Sequence, residues 1–295
     1  MKTLLSIGHG YSARAIAPAL IENGWTVYGT VRTEESAALA EAQGVKPIIW
    51  TAPDDPSVLP LDEATHILSS VAPERGEDQM DPVLACAAME IAHAPQLEWI
   101  GYLSTIGVYG DREGGWVDEY SERTPSTARG RARLQAEEMW TRLGQIADIP
   151  VNLFRLAGIY GPGRGPFEKV RQGKARIINK PGQVFSRIHV EDIAQVVHAA
   201  ILRRDLAGAW NVCDDCPIDP GEVLAYAAEL LNLPKPPVVD FDSAEMSPMA
   251  RSFYSESRRV KNDRIKDELG VTLKYPDYRT GLQALLDQGL DQDAR

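Results

Sequence analysis

The chain has 295 residues, enough for one large domain or two modest ones with a substantial core. Hydrophobic residues make up 44% and charged residues 25%, a balance typical of soluble globular proteins, so disordered, collagen-like and coiled-coil classes are disfavoured. The formal net charge of −11 argues against general binding to nucleic acid or to acidic membrane surfaces, because phosphate groups would be repelled.

The cysteines and the apolar segments indicate a compartment. Three cysteines cannot form a paired disulfide framework, which favours a reducing environment. The first apolar stretch is interrupted at Ser6 and ends at Gly8, so it is shorter than the roughly 7–15 apolar residues of a signal peptide. No later segment approaches the roughly 18 apolar residues of a membrane span. We therefore expect a soluble, cytoplasmic protein with neither a nucleic-acid nor a membrane partner.

Strand and helix patterns alternate through the first half of the chain. Short apolar runs predict strands at Lys2–Ile7, Trp25–Val31, Lys46–Trp50, His66–Ala72, Leu97–Ser104 and Val151–Leu156. Apolar periodicity and capping residues predict helices after Gly10, over Glu34–Gln43, from Pro82 to about His93, and over Ala132–Gly144. Such alternation is typical of a parallel sheet with helices on both faces, so we predict an α/β fold with a Rossmann-type doubly wound parallel sheet.

The pattern changes after Gly161–Pro166. The chain to Phe185 is basic and rich in loops, and residues 240–258 show no clear period. Later elements are predicted as a strand at Trp210–Cys213 and helices at Val190–Arg203, Pro220–Leu233, Asn262–Leu269 and Tyr278–Gln288. We therefore predict one domain over 1–162 and a smaller C-terminal α/β lobe over 163–295, with the helix at 190–203 packing back on the first domain.

A glycine-rich loop lies between the first strand and the first helix. Gly8-His9-Gly10-Tyr11-Ser12-Ala13 fits the dinucleotide-binding pattern G-x-G-x-x-G/A in the strand–loop–helix context that makes it informative. Gly8 permits a tight turn, Gly10 lets the backbone approach a pyrophosphate, and the small Ala13 lets helix and strand pack closely. The helix N-terminus at Tyr11 and Ser12 offers free N–H groups to an anion. The alternative is a turn into a helix with incidental glycines.

The end of the second strand bears on the choice of cofactor. An NAD site usually has an acidic residue there for the ribose hydroxyls, but this chain reads Thr30-Val31-Arg32-Thr33, with no acid before Glu34. The Arg32 guanidinium can clamp a 2′-phosphate, so we predict that NADP(H) is preferred and that NAD(H) is also accepted. The alternative is a solvated arginine at a strand end.

Further motifs carry a resemblance to a known family. They follow in order along nearly the whole chain, at 103–111 (LSTIGVYGD), 117–119 (VDE), Pro125, 155–163 (RLAGIYGPG), 188–194 (IHVEDIA), 210–212 (WNV), 266–270 (KDELG) and 278–282 (YRTGL). In these motifs the sequence resembles the short-chain dehydrogenase/reductase superfamily, and most closely its extended or atypical branch, the NAD-dependent epimerase/dehydratase family.

The resemblance implies an NAD(P)-binding protein that acts on a small-molecule substrate. It implies a dinucleotide-binding first domain, a substrate lobe after it, and an NADP(H)-dependent oxidation, reduction or epimerisation of a small polar compound. Val71, Ala72 and Ser104, at the ends of strands four and five, join the cofactor site, and Thr105 is the substrate-facing hydroxyl. Alternatively, Ser104 and Thr105 cap the strand end through local hydrogen bonds. A homodimer is one possible oligomeric state, and the sequence does not decide it.

Three departures from the family pattern bear on the chemistry. The glycine loop is one residue shorter than is usual in extended members, and Phe185 stands where nucleotide-sugar enzymes carry an arginine. The family's catalytic Tyr-x-x-x-Lys should fall on positions 129 and 133, which are Arg129 and Arg133. An arginine has a pKa above about 12 and no acceptor, so it cannot exchange a proton at neutral pH, although it can hold an anion.

The missing pair leaves the proton donor open. Tyr109 is the first candidate for the proton donor, and Tyr160 and His189 are weaker candidates. Arg129 and Arg133 share one helix face and would hold the substrate or an oxyanion. Alternatively, the two arginines form a solvated surface and the protein is a non-catalytic NADP(H)-binding sensor or interaction module. A single C-x-x-C at Cys213 and Cys216 is too little for zinc, so we predict no metal site.

Overall fold

The computed structural model describes residues 2–73 and 80–290. Its strands are β1 (Thr3–Ile7), β2 (Thr26–Val31), β3 (Lys46–Ile49), β4 (His66–Ser69), β5 (Trp99–Thr105), β6 (Trp116–Val117), β7 (Val151–Leu156), β8 (Gly158–Tyr160), β9 (Ile177–Asn179), β10 (Arg187–His189), β11 (Gly208–Val212), β12 (Val238–Asp240) and β13 (Arg259–Val260). Its α-helices are α1 (Tyr11–Glu22), α2 (Glu34–Glu41), α3 (Pro82–Ala92), α4 (Ala128–Ala147), α5 (Phe167–Arg171), α6 (Val190–Leu202), α7 (Pro220–Leu230), α8 (Pro248–Phe253), α9 (Asp263–Asp267) and α10 (Tyr278–Asp287). In the described part of the chain, no helix is both long and apolar enough to span a bilayer.

A seven-stranded parallel sheet forms the centre of the molecule. Its strand order is β11-β7-β5-β4-β1-β2-β3, so the chain moves outward from β1 in one direction through β2 and β3, and in the other through β4, β5 and β7. The predicted doubly wound α/β class is thereby confirmed. In such a sheet the order reverses between β1 and β4, and ligands bind beyond the carboxyl ends of the strands at that point.

Alternate residues of β5 show how the sheet is covered on both faces. Trp99 and Leu103 belong to one buried cluster, with residues of α1 and α6, whereas Ile100 and Tyr102 belong to a second, with residues of α3 and α4. A strand that is apolar on both faces is what a sheet covered on both sides requires. Helix α6 packs against α1.

The C-terminal part of the chain contributes to both lobes. Strand β11 pairs in parallel with β7 and extends the main sheet, although its residues lie within the predicted second lobe. The smaller lobe has its own apolar cluster, built largely by α5, α7 and α10. Three short parallel pairs, β6–β13, β8–β10 and β9–β12, lie outside the main sheet. The domain boundary at residue 162 thus stays a prediction. Strand β11 follows this boundary in sequence but belongs to the main sheet.

Two elements differ from their predicted bounds in ways that affect the site. Helix α4 begins at Ala128, with the Thr127 side chain accepting a hydrogen bond from the Gly130 N–H, four residues before the predicted start. Apolar periodicity missed this first turn because Arg129 and Arg131 are polar residues near solvent. Strand β4 ends at Ser69 rather than at Ala72, because the chain after Ser69 leaves the sheet edge.

Candidate functional site

A cleft of about 910 Å³ lies between the carboxyl edge of the main sheet and the smaller lobe. Its lining includes residues from the glycine loop and the start of α1, the end of β5, the first turns of α4 and the smaller lobe, among them Gly8, Gly10, Tyr11, Ser12, Ser104, Thr105, Arg129, Arg133, Arg164, Ser186, Arg187 and Tyr278. The cleft therefore gathers most of the residues predicted from sequence into one cavity.

The fold requires glycine at position 8 of the loop but not at position 10. Gly8 has φ +78°, and a Cβ there would lie 2.9 Å from the Val71 Cγ2 atom, so the fold itself excludes a side chain. Gly10 has an ordinary φ of −98°, and the nearest atom to a Cβ would be the Gly8 carbonyl oxygen at 3.8 Å. Since the protein leaves this space open toward the cleft, a requirement for glycine at position 10 would come from a ligand.

The start of α1 has the features of an anion cradle. Gly10 is the N-cap and supplies no side-chain hydrogen bond, and the first turn contains no acidic residue. Tyr11 and Ser12 line the cleft there, while Ala13 is buried and lets the helix approach the sheet. The free N–H groups and the helix dipole favour a negative charge at this place. The residues thus fit the pyrophosphate of a dinucleotide.

Tyr11 is fixed by contacts across the cleft. Its hydroxyl donates to the Pro162 carbonyl oxygen at 3.0 Å, and the Arg164 guanidinium lies 5.5 Å from the centre of its ring. Burial raises the pKa of Tyr11 to about 12, against an opposing effect of Arg164. Tyr11 is therefore a neutral wall of the cleft at physiological pH.

Four predicted cofactor residues lie outside the cleft lining, namely the buried Ala13 and also Val71, Ala72 and Arg32. Val71 is half-buried with its side chain against Gly8, and Ala72 is exposed, so Ser70 is the residue after β4 that reaches the cleft. Arg32 is exposed just beyond β2, whose Thr30 holds the glycine loop by accepting hydrogen bonds from Gly8 and His9. Within residues 2–73 and 80–290, Arg32 forms no ion pair.

His9 occupies the first variable position of the loop and is buried. Its Nδ1 lies 3.1 Å from the Ser6 hydroxyl, and its ring packs so closely on β2 that a Cβ at Gly29 would lie 2.8 Å from it. Burial, and after it the charge of Arg14, lowers the pKa of His9 to about 4. The imidazole is therefore neutral wherever the loop is folded near neutral pH.

The low pKa of His9 predicts a loss of stability in acid. The unfolded chain takes up a proton at a pKa near 6.5, so the contribution is complete above that pH and is lost as the pH falls toward 4, by on the order of 2 kcal/mol. We expect urea unfolding at pH 7 and pH 4.5 to show a smaller acid loss for His9→Asn than for the wild type. His93→Asn, at an exposed histidine, is the control. An identical acid loss in wild type and His9→Asn would contradict this.

A buried network fixes the end of β5. The Ser104 hydroxyl donates to Glu137 Oε1 at 2.6 Å, and Glu137 forms an ion pair with Arg155 at 2.9 Å with both side chains almost fully buried. Arg123 adds a longer contact to the same carboxylate. Ser104 lines the cleft as predicted, but its proton is directed into this network and not to a cofactor.

Thr105 is the free hydroxyl at this strand end. Its Oγ1 accepts a hydrogen bond from the Gly107 N–H at 3.1 Å, so the alternative of local capping is correct for its acceptor side. The hydroxyl proton stays available to donate into the cleft, since a hydroxyl both donates and accepts.

Arg129 and Arg133 lie one turn apart on α4, and both line the cleft. Arg133 is held by hydrogen bonds from Nη1 to the Tyr102 hydroxyl at 2.8 Å and to the Leu103 carbonyl oxygen at 3.0 Å. Arg129 lies 4.5 Å from the centre of the Phe253 ring, and it has no carboxylate partner among the described residues. Arg129 is the one of the two that is free to meet a ligand.

The prediction that Tyr109 is the proton donor is wrong, because its side chain lies in the core and not at the cleft. Tyr109 is fully buried and absent from the cleft wall, where its hydroxyl donates to Asn211 Oδ1 at 2.6 Å and accepts from Arg155 Nη1 at 2.8 Å. Burial raises its pKa to about 12. The 3-10 turn after β5 directs this side chain into the core, which sequence spacing alone could not show.

The weaker candidates for proton donor differ in position. Tyr160 lines the cleft, and burial raises its pKa. His189 lies outside the cleft wall, where its Nδ1 accepts the N–H of Glu191 and so caps α6, and burial lowers its pKa to about 4. Both cysteines of the C-x-x-C are free thiols. In the described part of the chain, no group of His, Cys, Asp or Glu side chains could hold a metal ion.

Sequence reasoning missed the arginines that the smaller lobe adds to the cleft. Arg164, Arg187 and Arg258 line it together with the two on α4, and Glu256, the one carboxylate among the described residues of the lining, is paired with Arg258. The cleft is thus cationic in a protein whose net charge is −11. The available signal was the basic character of the segment before Phe185.

The fold and the cleft together define a Rossmann-type α/β protein with a cradle for a dinucleotide. The model of the NAD dependent epimerase/dehydratase family matches residues 7–213. The chain therefore belongs to this family, which confirms the resemblance inferred from its motifs.

Individual relatives match over nearly their full lengths. Protein YeeZ of Escherichia coli (strain K12) is 28% identical over 289 residues, covering 94% of this chain and 97% of that protein. A solved structure of a functionally unknown conserved protein from Silicibacter pomeroyi DSS is 54% identical, with a TM-score of 0.91, covering 98% of this chain and 99% of that one. UDP-glucuronic acid 4-epimerase from Bacillus cereus, solved in complex with NAD, superposes with a TM-score of 0.75 over 96% of each chain at 16% identity, a likeness of fold alone.

Proposed function

We propose that this protein is an NADP(H)-dependent oxidoreductase or epimerase that acts on a small polar substrate. The observation that carries the proposal is the continuity of one cleft from the anion cradle at Gly10 and Ser12 to Thr105, Arg129 and Arg133. Cofactor and substrate can therefore share one cavity. When bound, a nicotinamide cofactor supplies hydride transfer.

The arginines take the place of the family's acid/base pair with a different role. For a carbonyl substrate, Thr105 donates a hydrogen bond to the carbonyl oxygen, and Arg129 stabilises the negative charge that develops on it. Arg133, held by Tyr102 and Leu103, keeps a second positive charge at the same wall. The proton that the oxygen finally takes comes from water, since arginine does not release one at neutral pH and the hydroxyls of Tyr11 and Tyr160 donate to the carbonyl oxygens of Pro162 and Asp277.

Turnover tests this role directly. NADPH absorbance is followed with a panel of aldehydes, ketones and 2-oxo acids for the wild type, Arg129→Met and Arg131→Met. We expect Arg129→Met to lower kcat/KM by about 10- to 100-fold, the scale of a lost hydrogen bond to a charged group. Arg131 lies between the two arginines but outside the cleft, so Arg131→Met serves as the matched control. Equal kcat/KM in all three proteins would contradict the role.

A wild type that shows no turnover would also decide between the two candidate functions. If the wild type binds NADPH but shows no turnover with any member of the panel, the oxidoreductase proposal fails and the non-catalytic binding protein takes its place. No contact described above favours that second function.

The preference for NADP(H) rests on Arg32. Its side chain is exposed and without a carboxylate partner among the described residues, beside the loop that Thr30 holds. We expect Arg32→Ala to weaken NADPH binding by about 1–3 kcal/mol and to leave NADH binding unchanged, because only NADPH carries the 2′-phosphate. Calorimetry with both cofactors measures this, with the exposed Arg142→Ala as the control for net charge. A wild type that prefers NADH would refute the preference.

A further inference from the structure

Two residues of the smaller lobe that line the cleft carry buried hydroxyls without a partner among the described residues. Ser186 is 4% exposed and Tyr278 is 1% exposed, and both line the cleft. Neither the Ser186 Oγ nor the Tyr278 hydroxyl has a hydrogen-bond partner among the described residues. Buried polar atoms of proteins are nearly always paired, so two unpaired hydroxyls on one cavity wall point to a missing ligand.

Arg187 lies beside them with its charge uncompensated. It begins β10, directly after Ser186, and lines the same cleft. Its Nη1 donates to the Phe185 carbonyl oxygen at 3.1 Å, and it forms no ion pair with any residue of the described ranges. Burial lowers its pKa, and Tyr278 and Asp214 are among the groups whose charges act on it.

Asp214 is the acid that could have neutralised Arg187. It is 1% exposed, its Oδ1 accepts the N–H of Cys216 at 3.2 Å, and its Oδ2 has no partner in the described part of the chain. Burial raises the pKa of Asp214 to about 8, so its carboxyl is mostly protonated at neutral pH. The positive charge of Arg187 therefore stays available to a ligand.

We propose that Ser186, Arg187 and Tyr278, here called the lobe subsite, bind an anionic oxygen group of the substrate, a carboxylate or a phosphate. All three side chains can donate hydrogen bonds, and a carboxylate or phosphate offers several acceptor oxygens to such donors. The inference rests on the proposed function and narrows its substrate to the acidic class. The part of the cleft that Arg129 and Arg133 of α4 line is then left for the reacting group.

A purely structural role for the lobe subsite makes a different prediction. If the hydroxyls served the fold, removing them would cost stability. Because neither is bonded within the protein, we expect Ser186→Ala and Tyr278→Phe to melt at the wild-type temperature or above it, while anion affinity falls.

Anion binding to the cofactor-loaded protein is the test. The protein is saturated with NADP⁺, which fills the cradle at α1, and titrated calorimetrically with sodium malonate or sodium phosphate, with sodium chloride at equal ionic strength as the reference. We expect saturable binding of malonate or phosphate with a Kd of roughly millimolar size. We expect a weakening of about tenfold or more in Arg187→Met, and of about threefold or more in Tyr278→Phe and Ser186→Ala. Arg176→Met, outside the cleft, should bind as the wild type does.

Each outcome decides the inference. Binding of malonate but not phosphate assigns a carboxylate, and the reverse assigns a phosphate. Absence of saturable binding, or affinity unchanged in Arg187→Met, overturns the lobe subsite. If Arg187→Met does not fold, unchanged affinity in Tyr278→Phe overturns it equally. If NADP⁺ does not bind at all but anion binding to the free protein still depends on Arg187, the proposed function fails while the lobe subsite stands.

Discussion

Gly10→Val is expected to abolish dinucleotide binding while leaving the protein folded. The backbone at Gly10 has an ordinary φ of −98°, and the nearest protein atom to a Cβ is 3.8 Å away, so valine fits the free protein. The added methyl groups enter the space in front of the α1 N–H groups, where the backbone must approach a pyrophosphate. We expect NADPH affinity to fall by at least about 100-fold, equivalent to roughly 2.7 kcal/mol.

Gly8→Val is the contrasting variant from the same loop. At Gly8 the φ of +78° and the Val71 side chain 2.9 Å from a Cβ oppose any side chain in the free protein. Thermal unfolding should therefore separate the two: Gly8→Val lowers the melting temperature, whereas Gly10→Val leaves it near the wild-type value. Full NADPH affinity in folded Gly10→Val would show that the pyrophosphate does not lie at this helix start.

Glu137→Ala is expected to cause the largest loss of stability. Glu137 is fully buried, and it accepts hydrogen bonds from Ser104 and from two nitrogens of Arg155. Removing its carboxylate leaves the Arg155 charge buried beside Tyr109 with no counter-charge, which costs about 3–5 kcal/mol. Urea unfolding at pH 7 measures this loss.

The neighbouring Glu138 provides the matched control. It lies on the same helix, is exposed, and pairs with the half-exposed Arg123 at 3.6 Å. Exposed ion pairs contribute about 0–1 kcal/mol, so Glu138→Ala should unfold almost as the wild type does. Equal losses in the two variants would mean that helix propensity and not the buried pair determines the result. Because Glu137 also holds Ser104 at the cleft floor, Glu137→Ala should weaken NADPH binding as well.

The arrangement of charge explains how an acidic protein can bind anions. The net charge is −11, yet the described residues of the cleft wall include five arginines and a single carboxylate, which is already paired. A cavity lined by one sign of charge concentrates the field inside it, so local charge outweighs net charge. The same feature explains why a negative net charge disfavours phosphate backbones as a general partner without excluding a small anionic ligand.

The sequence alone determined the fold class and the place of the anion cradle. Strand–helix alternation predicted most elements to within a few residues, because the apolar periods of buried strands and helices are written in consecutive residues. The glycine loop was found for the same reason, because Gly8, Gly10 and Ala13 lie close together in the sequence and form one local motif. The first turn of α4 and the two- and three-residue strands escaped, since they are polar or too short to show a period.

The tertiary structure decided the roles of single side chains. Thr105 ends β5 and Tyr109 follows four residues later, and only the turn between them sends Tyr109 into the core and leaves Thr105 at the cleft. Residues far apart in sequence line one cleft, Arg129 from α4 and Arg187 and Tyr278 from the smaller lobe. Their chemistry depends on burial and on which partners are missing, and these are properties of the packed molecule that no local pattern encodes.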